Sequence, residues 1–152
     1  MKRLLLAAPL ALALAASAIH PFGNPKLLQL NPATPLLEGA NPVDPAALRI
    51  LERACVNCHS EKTTWPWYSR IAPASWMIER DVSIAREHLN LSQWNRYTLE
   101  ERRRLLAQIG VMVRNHQMPP TRYTLLHGEA KLSSAEVDIL YRWERAERAE
   151  ER

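Results

Sequence analysis

Cys55-Val56-Asn57-Cys58-His59 decides how the rest of this chain is read. On a helix, positions i, i+3 and i+4 share one face. Cys55, Cys58 and His59 can therefore point at one flat partner from a single turn. This C-x-x-C-H spacing is that of covalent haem c attachment. Two thiols add across the two vinyl groups of the porphyrin, and the imidazole that follows binds the iron. The chain has 152 residues and no other cysteine.

Three rival readings of the motif are weaker. A thioredoxin-like pair needs its reactive Cys at a helix N-terminus, where the dipole favours thiolate. Here Asp44 and Pro45 read as an N-cap and first helical residue, and Ala46 to Ala54 continue the helix. Cys55 then lies about three turns in, at the wrong end. Structural zinc needs four ligands. The motif offers three, and His116 and His127 are too widely spaced to form the usual second half. A plain disulfide between residues three apart is the remaining rival.

The ends of the chain agree with haem c. Met1-Lys2-Arg3 is a short basic start, and Leu4 to Ala16 is almost wholly apolar. Ala16-Ser17-Ala18 fits a cleavage site, so residues 1–18 read as a signal peptide, with an uncleaved membrane anchor as the second reading. Either way the domain is expected in the periplasm, soluble or tethered to the inner membrane. Without Lys2 and Arg3 the formal charge falls from +4 to +2, too small an excess to argue for nucleic acid. Residues 19–44 carry Pro21, Pro25, Pro32, Pro35 and Pro42 and read as an extended linker. Residues 45–152 are one domain long.

Scarce glycine and the lack of β-branched runs predict an all-helical fold of about four helices around one haem. The first spans 45–59. The second starts near Pro73 and reaches about Asn90, with Ile78, Val82, Ala85 and Leu89 on its apolar stripe. Thr98 with Glu101 reads as a capping box opening the third, whose expected buried face is Leu105, Ile109 and Met112. Ser133 with Glu136 is a second box. It opens the last helix, with Val137, Leu140 and Tyr141 inward and Glu144–Arg148 on the wet face.

Haem iron has a second axial position. Met118 is the candidate, since Met118-Pro119-Pro120 follows a helix end and the prolines narrow the shapes of that loop. His116 and an open sixth position are the alternatives. His88 and His127 read as surface or loop residues. Trp65, Trp67, Tyr68, Trp76, Trp94 and Tyr123 are many large rings for a short domain. A porphyrin face needs apolar neighbours and its propionates need donors. Indole and phenol groups and Arg70 could supply them.

Beyond the pentapeptide, Trp65-Pro66-Trp67-Tyr68-Ser69, Ile71-Ala72-Pro73-x-Ser75-Trp76, Arg80-Asp81-Val82, Leu89-Asn90-x-Ser92-x-Trp94, Met118-Pro119-Pro120-x-x-Tyr123 and Trp143 resemble the bacterial haem-binding domain family of small exported proteins. The resemblance spans roughly Pro21 to Trp143. It implies a monohaem, cytochrome c-like helical domain with Cys55 and Cys58 as attachment sites and His59 as axial ligand. Gln117 and Ala74 stand where the family often has an acidic residue and valine. The expected job is one-electron transfer with periplasmic or membrane redox partner proteins, without enzymatic activity. The alternative is a haem sensor or peroxidase-like protein with an open or displaceable sixth position.

Overall fold

Asp44 starts the first helix as its side chain predicts. In the computed structural model its Oδ1 accepts the backbone N–H of Ala46 at 2.8 Å and of Ala47 at 2.9 Å, and Pro45 takes the first helical position. The described residues are 33–150, with Pro9, Ala11 and Leu12. Most of the expected signal segment and the first part of the linker lie outside them.

The first helix, α1, spans Pro45–Ala54. Cys55 leaves helical geometry at φ −121° and ψ −35°, and a separate turn, α2, spans Val56–His59. The expected single helix over 45–59 is thus broken at the first cysteine. The motif still occupies one turn: the N–H groups of Cys58 and His59 both reach the Cys55 carbonyl, at 3.2 and 2.9 Å.

A 3-10 turn at Trp67–Arg70 leads to α3, Ala74–His88, and another at Leu91–Arg96 leads to α4, Leu99–Arg114. The short α5, Thr121–Thr124, and a 3-10 turn at Gly128–Ala130 precede α6, Ser134–Glu150. Among the described residues there are six α-helices and no strand. No helix among them is long and apolar enough to cross a membrane.

Both capping boxes form. Thr98 N–H donates to Glu101 Oε2 at 2.8 Å, and Glu101 N–H returns to Thr98 Oγ1 at 3.3 Å. Ser133 and Glu136 repeat the pattern at 2.8 and 3.3 Å. These bonds satisfy donors that the first turns of α4 and α6 would otherwise leave open.

The core lies where α4 and α1 pack on α6. Ile50, Leu51, Leu91, Trp94, Leu105, Leu106, Ile109, Val113, Val137, Leu140 and Trp143 are buried together. Gly110 lets α6 come close: a Cβ there would stand 2.6 Å from Glu144 Oε1. The indole N–H groups of Trp94 and Trp143 are enclosed without a partner among the described residues.

Four expectations need correction. Met112 is 37% exposed, because the α4 stripe centres on Leu106, Ile109 and Val113 and leaves Met112 at its edge. Tyr141 is half-buried beside α6's apolar face, with the Arg114 guanidinium 4.3 Å above its ring. Glu144 does pair with Arg148, at 2.8 Å, but it is buried under α4 rather than wet. The end of the proline-rich stretch is no spacer. Leu37 is buried, its N–H donates to the Leu91 carbonyl at 2.9 Å, and Leu36, Ala40 and Val43 pack on the core.

Candidate functional site

His59 is held by the last turn of α3. Its Nδ1 lies 3.1 Å from both the Ala85 and the Leu89 carbonyl oxygens. Carbonyls only accept, so Nδ1 carries the proton and Nε2 keeps its lone pair. Burial holds the imidazole pKa below its ordinary value, outweighing the two carbonyls that push it up. The result is a neutral imidazole of fixed orientation with Nε2 as a ligand atom.

Both cysteines are free and half-buried. Burial, reinforced by the neighbouring Cys58, pushes the Cys55 thiol up to about 12. Burial and then Asp81 raise Cys58, against Arg86 and Arg122. Such protonated thiols are the opposite of the thiolate that a thioredoxin-like pair uses.

The turn is flanked by a hydrogen-bonded aromatic cluster. Asn57, between the cysteines, donates from Nδ2 to the Tyr123 hydroxyl at 3.0 Å. Its own Oδ1 accepts the Thr64 N–H at 3.0 Å. The Tyr123 ring stacks on His127, with centroids 4.3 Å apart and planes 19° apart. His127 Nδ1 meets Glu129 Oε1 at 3.0 Å, so its Nε2 accepts the Tyr68 hydroxyl. Burial raises both phenols, with Cys58 adding to each. Cys58, Tyr68, Tyr123 and His127 therefore form one neighbourhood.

The remaining sequence candidates differ in exposure. Trp65 is half-buried. Trp67 is 77% exposed, edge-on to Tyr68 at 5.8 Å. Trp76 lies exposed on α3, and Arg70 is exposed at the end of its 3-10 turn. Trp94 is a core residue, away from the cluster's bonds. Met118 is partly exposed just after α4, its N–H on the Met112 carbonyl at 3.2 Å. The segment that begins with Met118 runs to the motif. Arg122 pairs with Asp81 of α3 at 2.9 Å, and Tyr123 reaches Asn57.

Asn57, His127, Glu129 and Arg86 are site residues that sequence reasoning missed. His127 read as a loop residue. Its four-residue spacing from Tyr123 was the one available signal, since Tyr68 comes from a distant segment.

The haem-binding domain family matches residues 15–146 of the chain. The chain belongs to that family. Over 102 residues, 65% of its length, this haem-binding domain is 29% identical to the cytochrome c peroxidase Ccp of Escherichia coli (strain K12). It spans 22% of that relative's length. No solved structure matches the chain. The residues present fit a haem. One turn presents two protonated thiols and a neutral, oriented imidazole, and the phenols of Tyr68 and Tyr123 stand beside it.

Proposed function

We propose that this haem-binding domain is an exported monohaem c-type cytochrome that passes single electrons between periplasmic or membrane-bound redox partners. The observation that carries the reading is His59, on the turn that bears both thiols, with Nδ1 tied to the carbonyls of Ala85 and Leu89 at the end of α3. Haem bound there would supply a one-electron iron couple. Cys55 and Cys58 would hold it by thioethers, and His59 Nε2 would be one axial ligand. The carbonyls of Ala85 and Leu89 orient that ligand and raise its basicity, as outer partners of metal-bound histidines do.

Met118 is proposed as the second ligand. Its segment is anchored on both sides, by the Met112 carbonyl and by Arg122 and Tyr123, which supports the fixed placement that a weak thioether ligand needs. Tyr68, Tyr123, Trp65, Trp67 and Trp76 would contribute ring surface beside the haem. A leader removed after Ala18, or an anchor over the same residues, would account for export.

The second reading is a peroxidase-like protein, favoured by the similarity to the cytochrome c peroxidase. It requires a sixth position that small molecules can reach. Carbon monoxide binding and the red-edge sulfur-to-iron charge-transfer band separate the two. The carrier reading expects poor carbon monoxide binding and a band that Met118→Ala abolishes. Ready binding by the wild type, with a spectrum indifferent to Met118→Ala, would replace it with the peroxidase-like reading.

A further inference from the structure

Among the described residues, Arg86 has no ion-pair partner. It lies on α3 between Ala85 and Leu89, whose carbonyls hold His59. One Nη2–H goes to the neutral hydroxyl of Thr63 at 2.7 Å, on the loop after the motif. Its Nε is enclosed and has no hydrogen-bond partner among the described residues. Desolvating a guanidinium without a bound anion is costly, and such donors are ordinarily satisfied.

The neighbouring charges are otherwise engaged. Arg122 pairs with Asp81 at 2.9 Å. Arg53 pairs with Glu136. Glu61, the carboxylate nearest to Arg86 in effect, takes the Gln93 amide on its Oε1 at 2.7 Å. Burial lowers the Arg86 pKa, and Glu61 and the Cys58 side chain act against that fall. The Thr63 hydroxyl in turn donates to the Asn57 carbonyl inside the motif, at 2.8 Å. Nη2 carries two hydrogens, and Thr63 takes one. Nε–H and Nη2 share the guanidinium edge that can grip both oxygens of a carboxylate.

We propose that Arg86, steadied by Thr63, is the residue that binds a haem propionate. The assignment builds on the haem c reading above. Arg70, the donor expected from sequence, is exposed at the end of its turn. A guanidinium on the propionate offsets negative charge near the iron and so favours the ferrous state.

The test uses the full-length protein matured with haem. Haem staining after denaturing electrophoresis shows whether a propionate is there to be held. Redox titration and the propionate bending band in the resonance Raman spectrum then report on Arg86. Arg86→Gln should lower the midpoint potential and shift the band. Arg86→Lys should recover most of the potential, since charge returns, but not the band, since the fork is lost. Wild-type potential and band in stained Arg86→Gln protein would overturn the inference and leave the haem c reading standing. If Arg86→Gln fails to load haem, Thr63→Val carries the test. A shifted band supports the assignment and an unmoved one overturns it. A wild type that takes no stain removes both the inference and the reading beneath it.

Discussion

The α4–α6 pair and the motif side of the molecule are built on different principles. Between α4 and α6 the side chains close on one another. Leu105, Leu106, Ile109, Val113, Val137, Leu140 and Trp143 are buried, and Glu144 lies over Gly110. On the motif side, large apolar residues such as Trp67, Trp76 and Met77 are more than half exposed, and order comes from polar bonds. Asn57 reaches Tyr123, Tyr68 reaches His127, and His59 reaches two backbone carbonyls. The first region secures the fold through area buried. The second sets atoms at chosen positions, which is what a ligand set requires.

Substitutions can break that contrast. Leu140→Ala removes a fully buried side chain from α6 and should cost about 2–5 kcal/mol in denaturant unfolding. The same change should leave the haem spectrum of surviving folded protein unaltered. A spectrum that moved with Leu140→Ala would show the two regions to be one.

On the motif side, His127→Ala removes the acceptor of Tyr68 and the ring beneath Tyr123. Its stability cost should be smaller, on the order of 1 kcal/mol. Its optical and vibrational spectra should change, because both phenols stand beside Cys58. Unchanged spectra would place the cluster outside the cofactor's surroundings. Met112→Ala is the matched control. Its side chain is 37% exposed, so the loss should stay below about 1 kcal/mol and the sulfur-to-iron band should persist.

The smallest effect concerns the α4 cap. The Thr98 backbone N–H holds the Glu101 carboxyl below its usual range. A depressed folded pKa contributes stability that is present above the unfolded value and lost as pH falls through the folded one. Thermal melts from about pH 6 to about pH 3 should therefore show less acid weakening in Glu101→Gln than in wild type. Equal acid slopes would mean that the box contributes nothing to the folded state.

Much of the helical frame was legible because its signals are local. Asp44 with Pro45, Thr98 with Glu101, and Ser133 with Glu136 mark helix starts within four residues. The motif itself is local too. The break at Cys55 was not legible, since nothing in Ala54-Cys55-Val56 opposes a helix. Leu37 joined the core because a partner 54 residues away, Leu91, offers it a carbonyl. Met112 lost its place to the direction from which α6 approaches α4. His127 and Arg86 acquire meaning only from Tyr68, Glu129 and Thr63, which the fold brings together. Tertiary neighbours were thus the missing information throughout.

The central claim is that the turn bearing Cys55, Cys58 and His59 holds haem covalently. Co-expression with a haem c maturation system, denaturing electrophoresis and haem staining test it most directly. The wild type should give a haem band at the protein's mass, and the Cys55→Ser, Cys58→Ser double variant should give none. Haem that leaves the wild-type protein in acidified butanone would contradict the claim.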